Sequence, residues 1–295
     1  MRRRFATLDV FTDRRFAGNP LAVVLEPDGL DTAAMQAVAR EFNHPETVFV
    51  FAPENPAHRA RLRIFTPARE LPFAGHPTVG TAVLLALRDG GGAGREFVLE
   101  EPIGPVPCML EAGAGDRGSA RFTVPQLPAE VGPAPDAATI AAGLALSPRE
   151  IGFDGWRPAR WTAGNPFTFV PAAGLAALAR CRPDGDKFEA AFGAAGAAFI
   201  FCGETSEPGR QFHARMFAPA MGIREDPATG SAAAAFAGMI AARFSDGSHA
   251  IAIEQGYEMG RPSLIRLTAE MAAGRLVSAS IGGNAVVATE GTIEA

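Results

Sequence analysis

Cysteine is scarce in this chain, with three thiols, Cys108, Cys181 and Cys202, in 295 residues. They are too few and too scattered for a disulfide framework or a zinc site, and they fit buried thiols in a reducing cytoplasm. Long hydrophobic runs are missing as well, since no stretch approaches the roughly 20 apolar residues that span a bilayer. The opening Met1-Arg2-Arg3-Arg4 has the charge of a leader peptide without its apolar run, because Asp9 and Asp13 follow. Basic residues are outnumbered, 27 against 32, and the net charge of −5 argues against nucleic-acid binding. The densest basic stretch, Arg59, Arg61 and Arg63, alternates with Ala60, Leu62 and Ile64, which is the pattern of a half-buried strand.

Several chemical signatures are also lacking. No H-E-x-x-H, P-loop lysine motif or G-x-S-x-G elbow occurs. His44-Pro45-Glu46 has the H-x-E of zinc deaminases, but no P-C-x-x-C completes that site. Gly113-Ala114-Gly115-Asp116-Arg117-Gly118 fits G-x-G-x-x-G with no long apolar helix after it, so a hairpin tip is expected. These absences argue against a metal, a nucleotide phosphate and a serine nucleophile, and the expectation is a cytoplasmic protein with neither nucleic acid nor membrane as partner. The hydrophobic fraction of 47% and charged fraction of 20% are those of an ordinary soluble globular chain.

What is present is a repeat. Arg63-Ile64-Phe65-Thr66-Pro67 followed by Gly75-His76-Pro77-Thr78-Val79-Gly80-Thr81-Ala82 is echoed by Arg215-Met216-Phe217-Ala218-Pro219 and then Glu225-Asp226-Pro227-Ala228-Thr229-Gly230-Ser231-Ala232. The helix starts lie 150 residues apart and the Arg-x-Phe-x-Pro strands 152. A third pair, Ala17-Gly18-Asn19-Pro20 and Ala163-Gly164-Asn165-Pro166, lies 146 apart in the same order. Ordered matches at nearly constant spacing indicate an internal duplication. Two lobes follow, 1–130 and 131–295, with the proline-rich stretch 125–135 as linker, and the end strands are free to cross between lobes.

The coarse pattern is α+β. Strands are expected over Phe5 to Val10, Leu21 to Leu25 and Thr47 to Phe51, and a helix over Thr32 to Phe42 with Ala33, Met35 or Gln36, Val38 and Phe42 to one side. Short strands follow over Phe97 to Glu100, Cys108 to Glu111, Arg121 to Val124, Ala197 to Phe201, Ile251 to Ile253, Leu264 to Leu267, Leu276 to Ile281 and Ala285 to Ala288. Thr78 to Leu87 and Ala228 to Ala242 are apolar nearly all round, as buried helices are. Each half therefore reads as a curved, mixed sheet wrapped around one apolar helix. Pro77 and Pro227 suit a first helical position, and Asp226 a helix N-cap.

The helix mouths carry the candidate chemistry. Free N–H groups and the positive dipole end can hold a carboxylate there, and Gly75, Gly80 and Gly230 permit close approach. His76 and Asp226 occupy matched positions with unlike side chains, which suggests an active site shared between the two halves. Glu46 opens a strand whose counterpart begins at Gly196, so this carboxylate has no twin.

Asp9-Val10-Phe11-Thr12 with Gly18-Asn19-Pro20, Glu46-Thr47-Val48-Phe49-Val50, and the runs 70–82 and 225–232 together resemble the signatures of the phenazine-biosynthesis (PhzF-like) isomerase family. The resemblance extends from about Phe5 to Ile293. It implies the two-lobed fold of diaminopimelate epimerase, catalysis without metal or organic cofactor, and a homodimer. It implies that Glu46 is the acid/base that moves a proton between substrate carbons, that His76 and Asp226 flank the ligand, and that Gly75, Gly230 and Ser231 lie at ligand-binding positions. It implies a small cyclic unsaturated carboxylate as substrate, as in isomerisation of trans-2,3-dihydro-3-hydroxyanthranilate. One departure is Pro45, where a small polar residue is expected. The related epimerases and racemases use two facing thiols, and none of the three cysteines falls at those positions. Two alternatives remain open: a two-lobed carboxylate-binding protein without chemistry, and an amino-acid epimerase using Glu46.

Overall fold

The computed structural model describes residues 1–194 and 196–295. The chain divides into two units, Met1–Pro125 with Ser280–Ala295, and Gln126–Ala279. The division therefore falls at Pro125 rather than at residue 130, and residues 280–295 belong to the first unit instead of the second.

The first unit contains β1 (Arg2–Val10), β2 (Asn19–Leu25), α1 (Thr32–Phe42), β3 (Glu46–Phe51), β4 (Ala60–Phe65), β5 (Glu70–Leu71), α2 (Gly75–Arg88), β6 (Arg95–Glu101), β7 (Gly104–Ala114) and β8 (Arg117–Thr123). The second contains β9 (Ala129–Glu130), α3 (Ala137–Gly143), β10 (Ala159–Thr162), β11 (Pro166–Pro171), α4 (Leu175–Arg180), α5 (Gly185–Phe192), β12 (Ala198–Cys202), β13 (Phe212–Ala218), β14 (Ile223–Asp226), α6 (Gly230–Ala241), β15 (Gly247–Gln255) and β16 (Ser263–Ala272). A long final strand, β17 (Arg275–Glu294), then carries the chain back into the first unit.

Local chemistry explains the elements that position the site. Asp31 caps α1 by accepting from the Ala34 amide, and Asn43 ends the helix in the left-handed region at φ 51°. Met35, Val38 and Ala39 form the buried stripe, packed with Val24, Phe49 and Phe65, while Gln36 turns away to donate to the carbonyls of Thr66 and Pro67. The chain then enters β3, whose β-branched and aromatic residues are buried on both faces.

In the first unit the sheet closes on itself. Pairing runs β1-β2-β3-β4-β6-β7-β8-β17 and returns to β1. Helix α2 lies inside, packed on β1, β2 and β3 on one side and β7 and β8 on another. All residues from Gly75 to Ala86 are buried, which is why the segment is apolar all round. Gly80 is needed for this fit. A Cβ there would stand 2.6 Å from Leu21 Cδ2 and 2.7 Å from Val10 Cγ2. Its smallness thus serves packing of helix on strand, not the approach of a ligand.

In the second unit the pairing order is β9-β10-β11-β12-β13-β15-β16. Helix α6 packs on β9, β10, β11 and β16, and Phe236 on it meets Phe169, Phe199, Phe201 and Phe212 at centroid distances of 4.8–5.8 Å. A further apolar cluster joins α3, α4 and α5 to the strands through Ile140, Leu178, Phe188 and Ile200. Strand directions follow the same order in both units. β2 is parallel to β3, β3 antiparallel to β4, β4 parallel to β6 and β6 antiparallel to β7. β11 is likewise parallel to β12, β12 antiparallel to β13, β13 parallel to β15 and β15 antiparallel to β16.

Some expectations change. Pro77 is the third residue of α2, and α6 starts at Gly230 with Thr229 as N-cap. Asp226 instead ends β14, so it is not the cap. The two strands expected over 276–281 and 285–288 are one continuous strand, β17. The glycine-rich stretch at 113–118 is the tip of the β7–β8 hairpin, with Gly113 opposite Gly118.

Replacing Gly80 by alanine normally gains helix propensity. Here the added methyl has no room, and overpacking of a filled core costs about 1–3 kcal/mol. Urea unfolding of Gly80→Ala should therefore show a lower midpoint than the parent.

Candidate active site

Glu46 is the first residue of β3 and pairs in parallel register with Leu21 of β2. Its side chain is drawn into the unit, leaving the residue 8% exposed. His76, the second residue of α2, is 4% exposed, and its Nε2 lies 3.3 Å from Glu46 Oε2. The structure thus brings together Glu46, His76 and the adjoining Gly75, which were legible only as separate motifs.

The protonation of the histidine follows from its surroundings. Its ring is hydrogen-bonded to the backbone of Pro20. Proline has no N–H, so the partner is the Pro20 carbonyl and the ring must donate. His76 Nε2 makes no hydrogen bond among the described residues, so Nδ1 carries the donated proton. A distance of 3.3 Å could signify an ion pair, but burial decides otherwise. Desolvation pushes the imidazole pKa down to about 3, opposed by the Pro20 bond and assisted by repulsion from His44. At neutral pH the ring is uncharged, with its Nε2 beside the Glu46 carboxyl.

Gly18 shapes the loop that presents Pro20. Its φ is +64°, and a Cβ there would fall 2.4 Å from the Val10 carbonyl oxygen. The Gly18-Asn19-Pro20 run is therefore needed to place the acceptor for His76.

In the second unit Asp226 is 7% exposed, and its Oδ2 accepts from Thr229 Oγ1 at 2.6 Å. Gln255 Nε2 donates to the Asp226 carbonyl at 2.7 Å and to Thr229 Oγ1 at 2.9 Å, while Gln255 Oε1 accepts from the Thr229 amide at 3.1 Å. Gly230 and the half-buried Ser231 form the first turn of α6 directly after this cluster. The Ala233 amide donates to the Thr229 carbonyl at 3.0 Å, and the amides before it in the first turn have no carbonyl within the helix to reach. Sequence reasoning missed Thr229, Gln255 and Pro20 as partners. The repeat of Asn19-Pro20 as Asn165-Pro166 and the place of Gly18-Asn19-Pro20 among the family-like runs hinted that this loop mattered.

Comparison with known proteins places this geometry in a family. Residues 8–291 match the model of the phenazine biosynthesis-like proteins, PhzC-PhzF, and the chain belongs to that family. It is 49% identical over 302 residues to an uncharacterised isomerase of Mesorhizobium japonicum, covering 99% of this chain and 98% of that protein. It is 36% identical over 293 residues to the trans-2,3-dihydro-3-hydroxyanthranilate isomerase of Pseudomonas chlororaphis, covering 98% of each. The fold matches a Bacillus anthracis phenazine biosynthesis protein of the PhzF family with a TM-score of 0.90 at 24% identity over the whole of both chains.

Two outcomes are expected for His76. Nitrogen NMR should show a neutral ring protonated on Nδ1 from pH 5 to 8. Because its folded pKa is depressed, the unfolded chain binds the extra proton between about pH 6.5 and 3. Stability should therefore fall as pH drops through that window, and His76→Gln should lack this share of the loss in acid unfolding curves.

Proposed function

We propose that this chain is a cofactor-independent isomerase that moves a proton between carbons of a small cyclic unsaturated carboxylate; its relative from Pseudomonas chlororaphis is named a trans-2,3-dihydro-3-hydroxyanthranilate isomerase. The observation that carries the reading is the buried Glu46–His76 contact of 3.3 Å, with the imidazole neutral and its second nitrogen tied to Pro20. A buried carboxyl beside a neutral imidazole is an acid/base pair without any bound group.

In the proposed step Glu46 removes a proton from one ring carbon, and the C–H electrons shift the double bond. Glu46 then returns that proton to the distal carbon, so the product is an isomer and nothing is oxidised or reduced. His76 packs beside the carboxyl through Nε2 and stays neutral throughout. The amides of the Gly75 turn are assigned to the substrate's carboxylate.

We further propose that the two units descend from one duplicated ancestor and form pseudo-symmetric lobes. The matched strand directions support this, as do two pairs of equivalent contacts. Arg63 binds Glu70 at 2.6 Å and lies 5.2 Å from the Phe65 ring; Arg215 binds Glu225 at 2.8 Å and lies 4.9 Å from Phe217. A homodimer is proposed on the family resemblance. A cytoplasmic location is proposed on the free, buried state of Cys108, Cys181 and Cys202.

The test is hydrogen exchange. Unsaturated amino or hydroxy ring carboxylates incubated with the protein in D₂O should gain deuterium at carbon. Glu46→Gln should slow that entry by about 10²–10⁴-fold with an unchanged fold by circular dichroism, the range typical of a positioned acid/base. Binding without deuterium entry would support a carrier, and loss of optical activity without a shifted double bond would support an epimerase.

A further inference from the structure

We infer that Glu101 is held as the neutral acid and serves as a positioning residue, its carboxyl proton completing a clamp on the first turn of α2 that fixes His76. Glu101 is the last residue of β6 and 6% exposed. The N-cap of α2 is Ala74, whose methyl side chain cannot cap a helix. Its polar groups are served instead from outside. The Ala74 amide hydrogen-bonds to the Glu101 carboxyl. The Ala74 carbonyl accepts from Thr78 Oγ1 at 2.8 Å, and the same hydroxyl oxygen lies 2.6 Å from Glu101 Oε1. A hydroxyl has one proton and cannot donate to both. Both contacts are satisfied when Glu101 donates to Thr78 and Thr78 donates to Ala74.

The second unit contains the same clamp in a form that needs no titration. Glu254 precedes Gln255 as Glu100 precedes Glu101, and both glutamates grip successive loop amides. Glu100 accepts from Glu54 and Asn55, each at 2.8 Å, and Glu254 from Ser206 and Glu207 at 2.8 and 2.9 Å. Gln255 then accepts from the amide of the N-cap Thr229 and donates to a threonine hydroxyl. Glu101 accepts from the amide of the N-cap Ala74 and faces a threonine hydroxyl. It reproduces the amide's bonds only when protonated.

The surroundings favour that state. Burial pushes the Glu101 carboxyl up to about 8, against the opposing pull of Thr78 and Ala74. Cys108 on β7 faces it, and burial pushes that thiol well above its ordinary range. The cations nearby are engaged elsewhere. Arg61 lies against Glu54, Arg63 against Glu70 and His58 against Glu100.

The clamp is read without substrate, and only its bearing on turnover rests on the reaction proposed above. Between about pH 4.5 and 8 the folded chain keeps a proton that the unfolded chain releases, so stability falls as pH rises through this window and levels off above it. Urea midpoints of wild type and Glu101→Gln should be measured from pH 5 to 10. The wild-type midpoint should decline relative to the variant up to pH 8 and run parallel above pH 9. The His76 ring resonances should move above pH 8 in wild type and stay fixed in Glu101→Gln. Glu101→Leu, which orphans the Thr78 and Ala74 groups, should displace them already at pH 7. If that variant does not fold, the glutamine variant decides. Parallel profiles throughout, or His76 resonances that respond alike in wild type and Glu101→Gln, would overturn the inference.

Discussion

A helix without a wet face can exist only if the strands around it serve its polar ends. Water satisfies the first-turn amides of a surface helix, but α2 is buried from Gly75 to Ala86. Polar groups at its mouth therefore draw partners from the surrounding strands and loops. Pro20 accepts from His76, Glu101 and Thr78 hold Ala74, and Gln255 does the equivalent work for Thr229 in the second unit. The same burial that makes these partners necessary sets the protonation of the groups. A histidine beside a carboxyl is ordinarily a candidate imidazolium. Enclosed here, it is a neutral ring whose Nε2 lies 3.3 Å from Glu46.

The charged residues outside the helix mouths follow a simpler rule. Arg63 and Arg215 each lie over a phenylalanine of their own strand and close on a carboxylate from the next turn of chain. Arg215 also donates to the carbonyls of Leu178 and Cys181, tying α4 to β13. These contacts pin the strands that lead into the helix mouths.

Much of this was legible in the sequence, for identifiable reasons. The helix at Thr32–Phe42 showed because its apolar residues recur at helical spacing. The run at Glu46–Phe51 showed because it is β-branched and aromatic. The two enclosed helices showed because burial on all sides leaves no polar stripe. Their starting points did not, because Pro77 suggested a first position while the turn begins earlier at Gly75, and because Thr229 caps α6 through its place in a hydrogen-bonded cluster. Helices α3, α4 and α5 were unread, being too short to show a period. Glu101 and Gln255 were unread because each looks like the polar end of an alternating strand. Only three-dimensional pairing reveals that both reach a helix mouth more than twenty residues away in the chain. The sites found by pattern were those with local signatures, and the ones missed depend on distant partners.

The last strand has a consequence for how the molecule comes into being. β17 supplies the seam between β1 and β8, two strands made early in translation. While the ribosome is still producing the second unit, that seam stays open, with two unpaired edges and an oily helix partly uncovered. The earlier-made half must wait in an unfinished state for the final stretch of chain. The nascent protein thus has a long window in which chaperones, or a second nascent chain, can reach it.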